Sequence, residues 1–564
     1  MKAREIFTLI GNILLENKVI TASKLNDLEK ELKEEVGSYK ELEDILINKE
    51  LVTEEELLYA YSKYFNIEYI DLSKVKIDEG VIPLIPASVL NKSIIVPLRR
   101  EGNVLLVAIR DPFDVAVLDE LKIITSLRIK PFLAKKEDIR KAIRNYYGLG
   151  AATVEKLVKD SLSSSDVSFE EENDKGLVED VSLANYVNQL LLEAYKKRAT
   201  DIHIEPFSDR LRIRFRIDGF LYETKTPSQI KKLHQALISR LKIMANLNIA
   251  EKRKPQDGRC RVKLQGQDVD LRLSTFPTLF GEGLSIRLLS KDSIMLALEE
   301  LGFSQEGLDR IKSVLAKPNG MILVTGPTGC GKTTTLYSFL NYLNDSKIKI
   351  VTLEDPIEYQ LEGVDQIQIN PKIDLTFANG LRSILRQDPD VIMVGEIRDL
   401  ETAQIAVRCA LTGHLLFSTL HTNSSLSTIT RLMDLEVQPY LLADTLKAVV
   451  AQRLVRLICS DCKERFKPSE EILKNIGIKE GSVFFRGRGC KQCNNTGYKG
   501  RIAIFELLII EGELSSLIVK RASLEDIVHK ARSMGFVTLK EDGLEKAKRG
   551  LTSLDEVIRV CEQI

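Results

Sequence analysis

One segment of the chain has the residue types and spacing of a phosphate-binding loop. The segment Gly326-Pro-Thr-Gly-Cys-Gly-Lys-Thr333 fits the pattern G-x-x-x-x-G-K-[ST]. An apolar stretch precedes it at 321–324, and a helical pattern follows at 334–343, which is the strand–loop–helix context that this motif requires. We therefore predict a nucleotide-binding P-loop here rather than a plain glycine-rich turn.

The pattern assigns chemistry to each position of the loop. Glycines let backbone N–H groups close round phosphate oxygens, and the N-terminus of the following helix adds partial positive charge. The lysine is expected to reach the β- and γ-phosphates of ATP, and the hydroxyl after it to ligate Mg²⁺. The residues that we predict to bind ATP and Mg²⁺ are Gly326, Thr328, Gly329, Gly331, Lys332, Thr333 and Thr334.

Polar side chains stand at the ends of three further apolar stretches, each with the pattern of a buried strand. The first is followed by Glu354 and Glu358, the second by Gly395-Glu396, and the third by His421. In an open α/β sheet, ligands bind outside the carboxyl ends of the strands. Hydrolysis of ATP needs Mg²⁺ to neutralise charge and a carboxylate to orient or deprotonate water, so the convergence of these groups favours an ATP hydrolase.

The second of these strands has the form of a Walker B motif with one departure. The position usually held by an Asp is Gly395, so the following Glu396 is predicted to be the catalytic base. Without that Asp, Glu354 or Glu358 is expected to supply a carboxylate in the second coordination shell of Mg²⁺. A single Glu at a strand end is usually structural, and the P-loop upstream is what favours a catalytic role for Glu396.

Four of the eight cysteines form two Cys-x-x-Cys pairs, with 27 residues between the pairs. Four thiolates in this arrangement suit tetrahedral Zn²⁺, although the gap is longer than the usual range of a zinc ribbon. A redox-active pair is the alternative, and the presence of two pairs makes it the weaker one. The predicted Zn²⁺ ligands are Cys459, Cys462, Cys490 and Cys493.

The elements that must position these groups follow a pattern of strand, loop and helix that repeats from about residue 300 onwards. This pattern is typical of an α/β domain built on a mainly parallel sheet. We predict one motor domain over 291–564, with the cysteine pairs in an insert at 459–493 and helices at the C-terminus.

Two further regions precede the motor domain. Residues 148–180 are rich in Ser and acidic residues, a composition that cannot bury a core, so we predict a flexible linker there. Residues 181–290 form another domain, in which the segment 210–219 alternates between arginines and apolar residues. This period places the arginines on one face of a strand, and the pattern alone does not distinguish a solvated face from a binding face.

The N-terminal part has the sequence of two modules. Residues 1–70 contain a gapless internal match at an offset of 32 residues, which predicts a paired-helix module. In the second copy, Thr53 and Glu56 have the spacing of a capping box, so a helix is expected to begin there. Residues 71–147 mix strand and helix patterns as a small α/β module. We expect these modules to dock the protein to a partner.

Composition limits the function of the whole chain. Its 564 residues carry 81 Lys and Arg against 81 Asp and Glu, and this neutral balance disfavours direct binding of nucleic acid. The chain has no stretch of 18 or more apolar residues that would predict a transmembrane span. Its first residues lack the apolar core of a signal peptide, and the few cysteines fit a reducing compartment. We therefore expect a cytoplasmic protein.

These motifs together resemble the secretion ATPase superfamily, and within it the assembly ATPases of type IV pili and their type II secretion relatives. The resemblance covers about residues 180–564, and a missing Walker B Asp is normal for the family. The segments that carry it are Asp201-Ile-His-Ile-Glu205, Pro255-Gln-Asp-Gly-Arg259, Glu354-Asp-Pro356, Gly395-Glu-Ile-Arg398 and Thr412-Gly-His414 with Ser418-Thr-Leu-His421.

The resemblance implies a fold and a mechanism. The fold class is α/β: a RecA-like motor domain is preceded by a PAS-like α+β domain and by N-terminal helical and α/β modules. Six such subunits form a ring, with ATP at the junction of the PAS-like and motor domains. Arg272 and Arg287 match the family's arginines that reach the γ-phosphate, and Arg382 and Arg386 are further candidates. Hydrolysis then depends on domain closure, because an Arg near the transferring phosphate lowers the barrier.

The resemblance also implies partners. In the family, motion of the ring is passed to a platform protein of the inner membrane, which adds or lifts pilin subunits, so we expect a cytoplasmic motor peripheral to that membrane. Some members bind cyclic di-GMP through N-terminal motifs that begin Arg-Leu-Gly. Here the first copy reads Leu9-Ile-Gly11 and the second has Glu43-Asp44, so the Arg is absent from both. That absence disfavours dinucleotide binding and favours docking to a membrane partner.

Four alternatives stay open beside pilus assembly. The resemblance disfavours a pilus retraction motor, because such motors lack the long N-terminal region and the cysteine pairs. The type II secretion motors share nearly all of these motifs, so the sequence does not separate the two branches. A nucleotide-gated scaffold that turns over little ATP is disfavoured by the presence of Lys332, Glu396 and the arginines. A hexameric nucleic-acid motor is disfavoured by the neutral charge and by the lack of aromatic residues among the basic ones.

Overall fold

The protein divides into two compact units, residues 1–289 and residues 290–564. The structure, a computed structural model, describes residues 3–25, 39–151, 153–154, 172–290, 296–478 and 481–561. The centre of the predicted linker, 155–171, lies outside the described residues. The predicted domain bounds away from that segment stay predictions.

The first unit combines helices with two sheets. Its helices are α1 (Ala3–Glu16), α2 (Tyr39–Asn48), α3 (Glu54–Phe65), α4 (Ala87–Ser93), α5 (Val115–Thr125), α6 (Lys136–Tyr147), α7 (Glu172–Lys196) and α8 (His234–Met244). Its strands are β1 (Ile95–Glu101), β2 (Val104–Ile109), β3 (Arg128–Leu133), β4 (Ala199–Pro206), β5 (Leu211–Ile217), β6 (Phe220–Thr224), β7 (Gln256–Leu264), β8 (Gln267–Thr278) and β9 (Gly281–Ser290).

The internal match at the N-terminus corresponds to paired helices that share one core. Leu14 and its counterpart Leu46 are both buried in that core, which continues into the three-stranded sheet β1-β2-β3. The predicted capping box at the start of α3 is present, because Thr53 Oγ1 accepts from Glu56 N while a Glu56 carboxylate oxygen accepts from Thr53 N. Capping of this kind satisfies two backbone donors that a helix start leaves without partners.

Described elements lie at both ends of the predicted linker, 148–180, whose bounds stay a prediction. Leu149 and Val154 are buried in the same core as Tyr186 of α7. Helix α7 begins at Glu172, well before the apolar pattern that starts near Leu183. Composition misplaces this start because a helix that is anchored by packing in its later turns can extend backwards through polar residues.

The second sheet of this unit has six antiparallel strands in the order β6-β5-β4-β9-β8-β7. Its apolar face packs with α7 and α8 in one core, to which β5 contributes Leu211, Ile213 and Phe215. The arginines that alternate with them, Arg212 and Arg214, lie on the other face and are only half-buried. The predicted alternation in β5 is therefore confirmed.

The second unit alternates strands and helices around a mainly parallel sheet. Its helices are α9 (Gln305–Leu315), α10 (Lys332–Leu343), α11 (Phe377–Ile384), α12 (Leu400–Leu411), α13 (Ser425–Asp434), α14 (Pro439–Thr445), α15 (Glu470–Ile476), α16 (Glu513–Val519), α17 (Leu524–Ser533), α18 (Leu539–Lys548) and α19 (Leu554–Cys561). Its strands are β10 (Gly320–Thr325), β11 (Ile350–Glu354), β12 (Asp365–Gln368), β13 (Val391–Val394), β14 (Leu415–Leu420), β15 (Leu446–Ile458), β16 (Lys463–Phe466), β17 (Phe484–Gly487) and β18 (Tyr498–Ile509).

Seven of these strands form one sheet in the order β12-β11-β13-β14-β10-β15-β18. All neighbours are parallel except β15 and β18. In β10, Met321 and Leu323 belong to one hydrophobic core while Ile322 and Val324 belong to another, so this strand is covered on both faces. Burial on both faces explains why these strands are continuous apolar runs in the sequence.

Among the residues that the structure describes, no helix combines the length and apolar character needed to cross a membrane.

Candidate active site

The P-loop lies between the end of β10 and the start of α10. Gly326, Gly329 and Gly331 have φ angles of 148°, 80° and 92°, in the range that favours glycine. A Cβ atom at residue 326 would also lie 2.6 Å from the Cys330 sulfur and 2.6 Å from the backbone oxygen of Gln452. Glycine is therefore required here both by conformation and by space, as the predicted phosphate loop needs.

The side chain of Lys332 folds back onto the P-loop and donates hydrogen bonds to its backbone. Lys332 Nζ donates to the backbone oxygens of Gly326 at 2.8 Å and Pro327 at 3.3 Å. Burial lowers the pKa of Lys332, and the nearby charge of Glu396 acts in the opposite direction. The following residues, Thr333 and Thr334, lie half-buried in the first turn of α10. The loop thus presents a cation and the N-terminus of a helix together, which fits a nucleotide phosphate.

The carboxyl ends of the neighbouring parallel strands meet at this edge of the sheet. Leu353 of β11 is level with Val394 of β13, which is level with Ser418 of β14. Thr325, the last residue of β10, is level with Leu420 at the end of β14. The strand ends that the sequence predicts to converge therefore do so.

Two of the predicted residues contact each other at this edge. Glu396 Oε2 lies 3.3 Å from His421 Nε2, and Glu396 Oε1 forms an ion pair with Arg398. The Glu396 side chain is 15% exposed. A carboxylate in this position can accept a proton from water, while Lys332 stabilises negative charge on a phosphate.

Glu354 is enclosed by side chains that donate hydrogen bonds to it. It is buried, and its carboxylate accepts hydrogen bonds from Tyr337 at 2.5 Å, from Thr352 at 2.7 Å and from Gln366 at 3.0 Å. Burial and the charge of Glu354 raise the pKa of Tyr337, so its hydroxyl remains a donor. The carboxylate therefore links the P-loop helix α10 to β11 and β12, and its oxygens are committed to protein donors rather than presented to a metal.

Glu358 lies in the segment between β11 and β12, where it is half-buried. The predicted pair of carboxylates is therefore divided: Glu354 points into the fold, and Glu358 belongs to the connecting segment that Gln366 anchors. Gln366 donates to the backbone oxygen of Tyr359 at 2.8 Å and accepts from the backbone of Leu361 at 2.7 Å.

The predicted arginines of the first unit lie together in one pocket. Arg272 and Arg287 line a pocket of about 330 Å³ on the sheet face that carries the arginines, and Arg259 lines it with them. Arg259 is directly opposite Arg272 in the strand pairing, and Arg287 is opposite Asp201. Like charges opposite each other are destabilising in a sheet, so this arrangement suits an anionic ligand.

Two carboxylates lie among the arginines of this pocket. Arg287 Nε donates to Asp201 Oδ1 at 3.0 Å, and Asp257 is the other acidic residue of the lining. Sequence reasoning missed Arg259 as a site residue, although it lies in the segment Pro255-Gln-Asp-Gly-Arg259 that carries the family resemblance. Of the further candidates, Arg382 pairs with Glu401. Arg386 donates to the backbone oxygen of Arg382.

The four predicted cysteine ligands form one cluster. Their sulfur atoms all lie within 4.8 Å of one another, with Cys459–Cys490 and Cys462–Cys493 at 3.8 Å and Cys490–Cys493 at 3.7 Å. Four thiolates at about 2.3 Å from a tetrahedral Zn²⁺ are about 3.8 Å apart. The spacing therefore fits this metal, and the meeting of both pairs in one cluster disfavours two separate redox pairs.

Backbone groups support the cluster. The amides of Gly489 and Cys490 donate to the sulfurs of Cys462 and Cys493 at 3.3 and 3.1 Å, and Gly497 N donates to Cys493 at 3.2 Å. Burial acts to raise the pKa of Cys493, but the amides of Cys490 and Gly497 together with the thiols of Cys490 and Cys462 prevail and lower it to about 7. The 27 residues between the two cysteine pairs contain the paired strands β16 and β17 and helix α15. These added elements explain why the gap is longer than in a simple zinc ribbon.

Comparison with known proteins assigns the chain to a family. The family model "Type II/IV secretion system protein" matches residues 176–559, and the model "MshEN domain" matches residues 65–153. The type IV pilus assembly ATPase PilB of Myxococcus xanthus is 40% identical over 562 residues, which cover 97% of this chain and 98% of that protein. The type II secretion system protein E of Xanthomonas campestris is 44% identical over 458 residues, which cover 80% of each.

Solved structures agree on the fold. The Legionella pneumophila ATPase DotB is 21% identical, with a TM-score of 0.50 over 67% of this chain and 96% of that one. At this level of identity the likeness concerns the fold, which is the RecA-like fold of secretion ATPases in the second unit. The predicted α/β fold class, with its RecA-like motor, is confirmed.

Proposed function

The chain belongs to the type II/IV secretion system protein family and is an ATPase, and we propose that it is the motor that powers assembly of type IV pili. The observation that carries the proposal is the match to a pilus assembly ATPase along 97% of this chain, N-terminal modules included. The named type II secretion relative matches over 80%. Type II secretion is the second candidate, because the motor unit is similar to proteins of both names.

Within the motor unit, the P-loop residues bind the phosphates of ATP together with Mg²⁺, and Glu396 is the base that receives a proton from the attacking water. The contacts of Glu396 with His421 and Arg398 support this role, since they hold the carboxylate at the strand ends next to the loop. His421 orients the carboxylate. Because the Glu354 carboxylate already accepts from three side chains, we place the support of Mg²⁺ on Glu358.

The remaining parts of the proposal extend beyond one chain. Arg272 and Arg287 reach the γ-phosphate when the PAS-like domain closes on the motor domain, and six subunits form a ring at the cytoplasmic face of the inner membrane. The anion-fitting pocket that both arginines line supports their role. The N-terminal modules dock to a platform protein of that membrane rather than bind cyclic di-GMP, because both repeats lack the Arg of the dinucleotide motif.

Deletion of the gene tests the biological assignment. We expect the organism to lose surface pili, seen by electron microscopy, while its secreted proteins stay unchanged in the culture medium. The wild-type gene should restore pili, and a gene that encodes Glu396→Gln should not. Normal pili together with a defect in protein secretion would instead assign the chain to type II secretion.

A further inference from the structure

Strand β15 carries two adjacent polar residues inside its segment 448–455, which is otherwise apolar. Gln452 and Arg453 are 1% and 6% exposed, and they follow Ala451, which is level with Thr325 at the end of β10. Polar side chains buried this deeply are costly unless their hydrogen-bonding groups are satisfied. Their hydrogen-bond partners lie in the P-loop, in the helix that follows it and in the segment after β14.

Gln452 connects the P-loop to the helix that follows it. Its Nε2 donates to the backbone oxygen of Cys330 at 2.7 Å, and its Oε1 accepts from Thr335 Oγ1 at 2.8 Å. It also contacts the loop glycines, because a Cβ at Gly326 would lie 2.6 Å from its backbone oxygen and one at Gly331 would lie 3.2 Å from Nε2. One side chain and its backbone thus fix both ends of the loop.

Arg453 connects the P-loop to the segment that contains His421. Its guanidinium donates to the backbone oxygen of Gln452 at 2.9 Å and to the backbone oxygen of Asn423 at 2.9 Å. It lies directly behind the loop, since a Cβ at Gly326 would be 3.1 Å from its Nη1. These acceptors are neutral, so they satisfy hydrogen bonds without compensating the charge.

Throughout the described part of the chain, Arg453 forms no ion pair. A guanidinium stays protonated in proteins, and a buried charge that is only partly compensated is disfavoured. The buried carboxylate of Glu506 acts on Arg453 at longer range, but it accepts hydrogen bonds from Ser425 N at 2.8 Å and from Ser425 Oγ at 2.6 Å. An anion bound at the front of the loop can supply the remaining compensation. Burial lowers the pKa of Lys332, and the charge of Arg453 acts in the same direction.

We propose that Gln452 and Arg453 are positioning residues for ATP hydrolysis: Gln452 sets the shape of the P-loop, and Arg453 is a fixed positive charge behind it that is compensated by the nucleotide phosphates. The proposal rests on the proposed role of the P-loop. It explains why two buried polar residues follow the segment of β15 that pairs with β10.

Charge and shape can be separated by two substitutions of Arg453. Arg453→Met keeps an unbranched side chain of similar length and removes the charge, whereas Arg453→Lys keeps a cation. We expect Arg453→Met to weaken binding of Mg·ATP by about tenfold or more and to raise KM more than it lowers kcat, because the lost charge acts on bound phosphate throughout. Arg453→Lys should recover most of the affinity.

Gln452→Ala removes both side-chain contacts with the loop without a change of charge. We expect it to lower kcat more than it raises KM, because the loop loses its fixed shape. Fluorescent ADP and ATP analogues measure affinity in the full-length protein, phosphate release measures turnover, and thermal unfolding confirms that each variant is folded. Arg549→Met, which removes an exposed arginine of α18 that pairs with Glu545, is the control and should match the wild type.

Lys332→Ala serves as the reference for the P-loop itself. Suppose that Lys332→Ala loses affinity while Arg453→Met and Gln452→Ala keep the kinetics and affinity of the wild type. The positioning roles of Gln452 and Arg453 are then wrong, and the assignment of the P-loop as the nucleotide site remains valid. If Lys332→Ala also binds nucleotide normally, the assignment of the P-loop fails and this proposal fails with it. An affinity of Arg453→Lys as low as that of Arg453→Met would contradict a role of the charge.

Discussion

Glu396 has a cation and an imidazole as its neighbours at the strand-end edge of the motor sheet. Glu396→Gln preserves the shape of the side chain but removes its ability to accept a proton. We expect kcat to fall by about 10²- to 10⁴-fold, the range for general-base catalysis, while binding of Mg·ATP is retained because the P-loop is unchanged. Phosphate release and nucleotide titration measure the two effects.

A matched control for this variant is Glu362→Gln, which changes an exposed glutamate of the same unit. It should leave both quantities as they are in the wild type. Phosphate release from Glu396→Gln at the wild-type rate would assign the proton transfer to another group.

Glu354 differs from Glu396 because its carboxylate is already bound by three side chains. In Glu354→Gln, the amide group can no longer accept from all of Tyr337, Thr352 and Gln366, so at least one buried donor loses its partner. We expect a loss of about 1–3 kcal/mol in the free energy of unfolding. The Mg²⁺ concentration for half-maximal ATPase activity should stay unchanged. A shift of that concentration without loss of stability would restore Glu354 as a support of the metal.

The residues that sequence could identify are those whose partners are close along the chain. The P-loop and each Cys-x-x-Cys pair have fixed local spacings that reflect phosphate and metal geometry, so they could be recognised without the fold. Gln452 could not, because its partners Cys330 and Thr335 are 122 and 117 residues away. Glu354 was recognised as a strand-end acid, but nothing in its neighbourhood indicates that three side chains enclose it.

Among the elements, β15 and β18 join the cysteine cluster to the motor sheet. Strand β15 ends just before Cys459, and β18 begins a few residues after Cys493. We expect about one Zn²⁺ per chain by elemental analysis, and none in a variant with Cys459→Ser and Cys490→Ser. Because the metal would hold the ends of two paired strands, the variant should also unfold at a lower temperature.

Cys409→Ser and Cys260→Ser, which alter cysteines outside the cluster, provide the control for metal content. They should retain the full amount of zinc. A cluster variant that still contains stoichiometric zinc would place the metal elsewhere in the chain.

Helix α19 is attached to β15 through a buried ion pair. Glu556 is 2% exposed, and its carboxylate accepts from Arg456 at 2.8 Å and from Arg559 at 2.8 Å. Burial acts to raise the pKa of Glu556, but the two arginines prevail and lower it to about 2. The carboxylate therefore stabilises the fold above its unfolded pKa, and this contribution is lost as the pH falls from about 4.5 towards 2.

Glu556→Gln should accordingly lower the free energy of unfolding by about 3 kcal/mol at pH 7, because it leaves the arginine charges without their partner. The difference from the wild type should shrink as the pH approaches 3. Urea denaturation at both pH values measures it, with Glu545→Gln at an exposed ion pair of α18 as the control. A difference that is the same at pH 7 and pH 3 would contradict the ion-pair explanation.

Strands could be predicted from the sequence where burial of one or both faces imposes a repeating pattern of apolar residues. The strands of the motor sheet are apolar runs because they are covered on both faces, and β5 alternates because one of its faces carries the arginines. The start of α7 was misplaced because the sequence pattern shows only where a helix packs, and this helix begins before its packed part.

At the scale of the whole molecule, the balance of 81 basic and 81 acidic residues conceals how unevenly the charges are placed. Arginines line a pocket in the first unit, whereas Glu396 and the P-loop lysine occupy the second. Net charge could exclude a globally basic protein, but the pairing of Arg259 with Arg272 depends on strand register, which composition does not contain.

This separation predicts that nucleotide binding and turnover can be uncoupled in the full-length chain. The double variant Arg272→Ala with Arg287→Ala should bind Mg·ADP as the wild type does, because the P-loop belongs to the other unit. Its turnover should fall by about 10³-fold or more, the effect of removing arginines that stabilise the transferring phosphate. Arg261→Ala, which alters an exposed arginine of the same sheet that pairs with Asp270, should keep normal turnover. Full turnover in the double variant would mean that the arginine pocket serves another anion, and a loss of ADP binding would mean that its arginines act on the nucleotide before the γ-phosphate is involved.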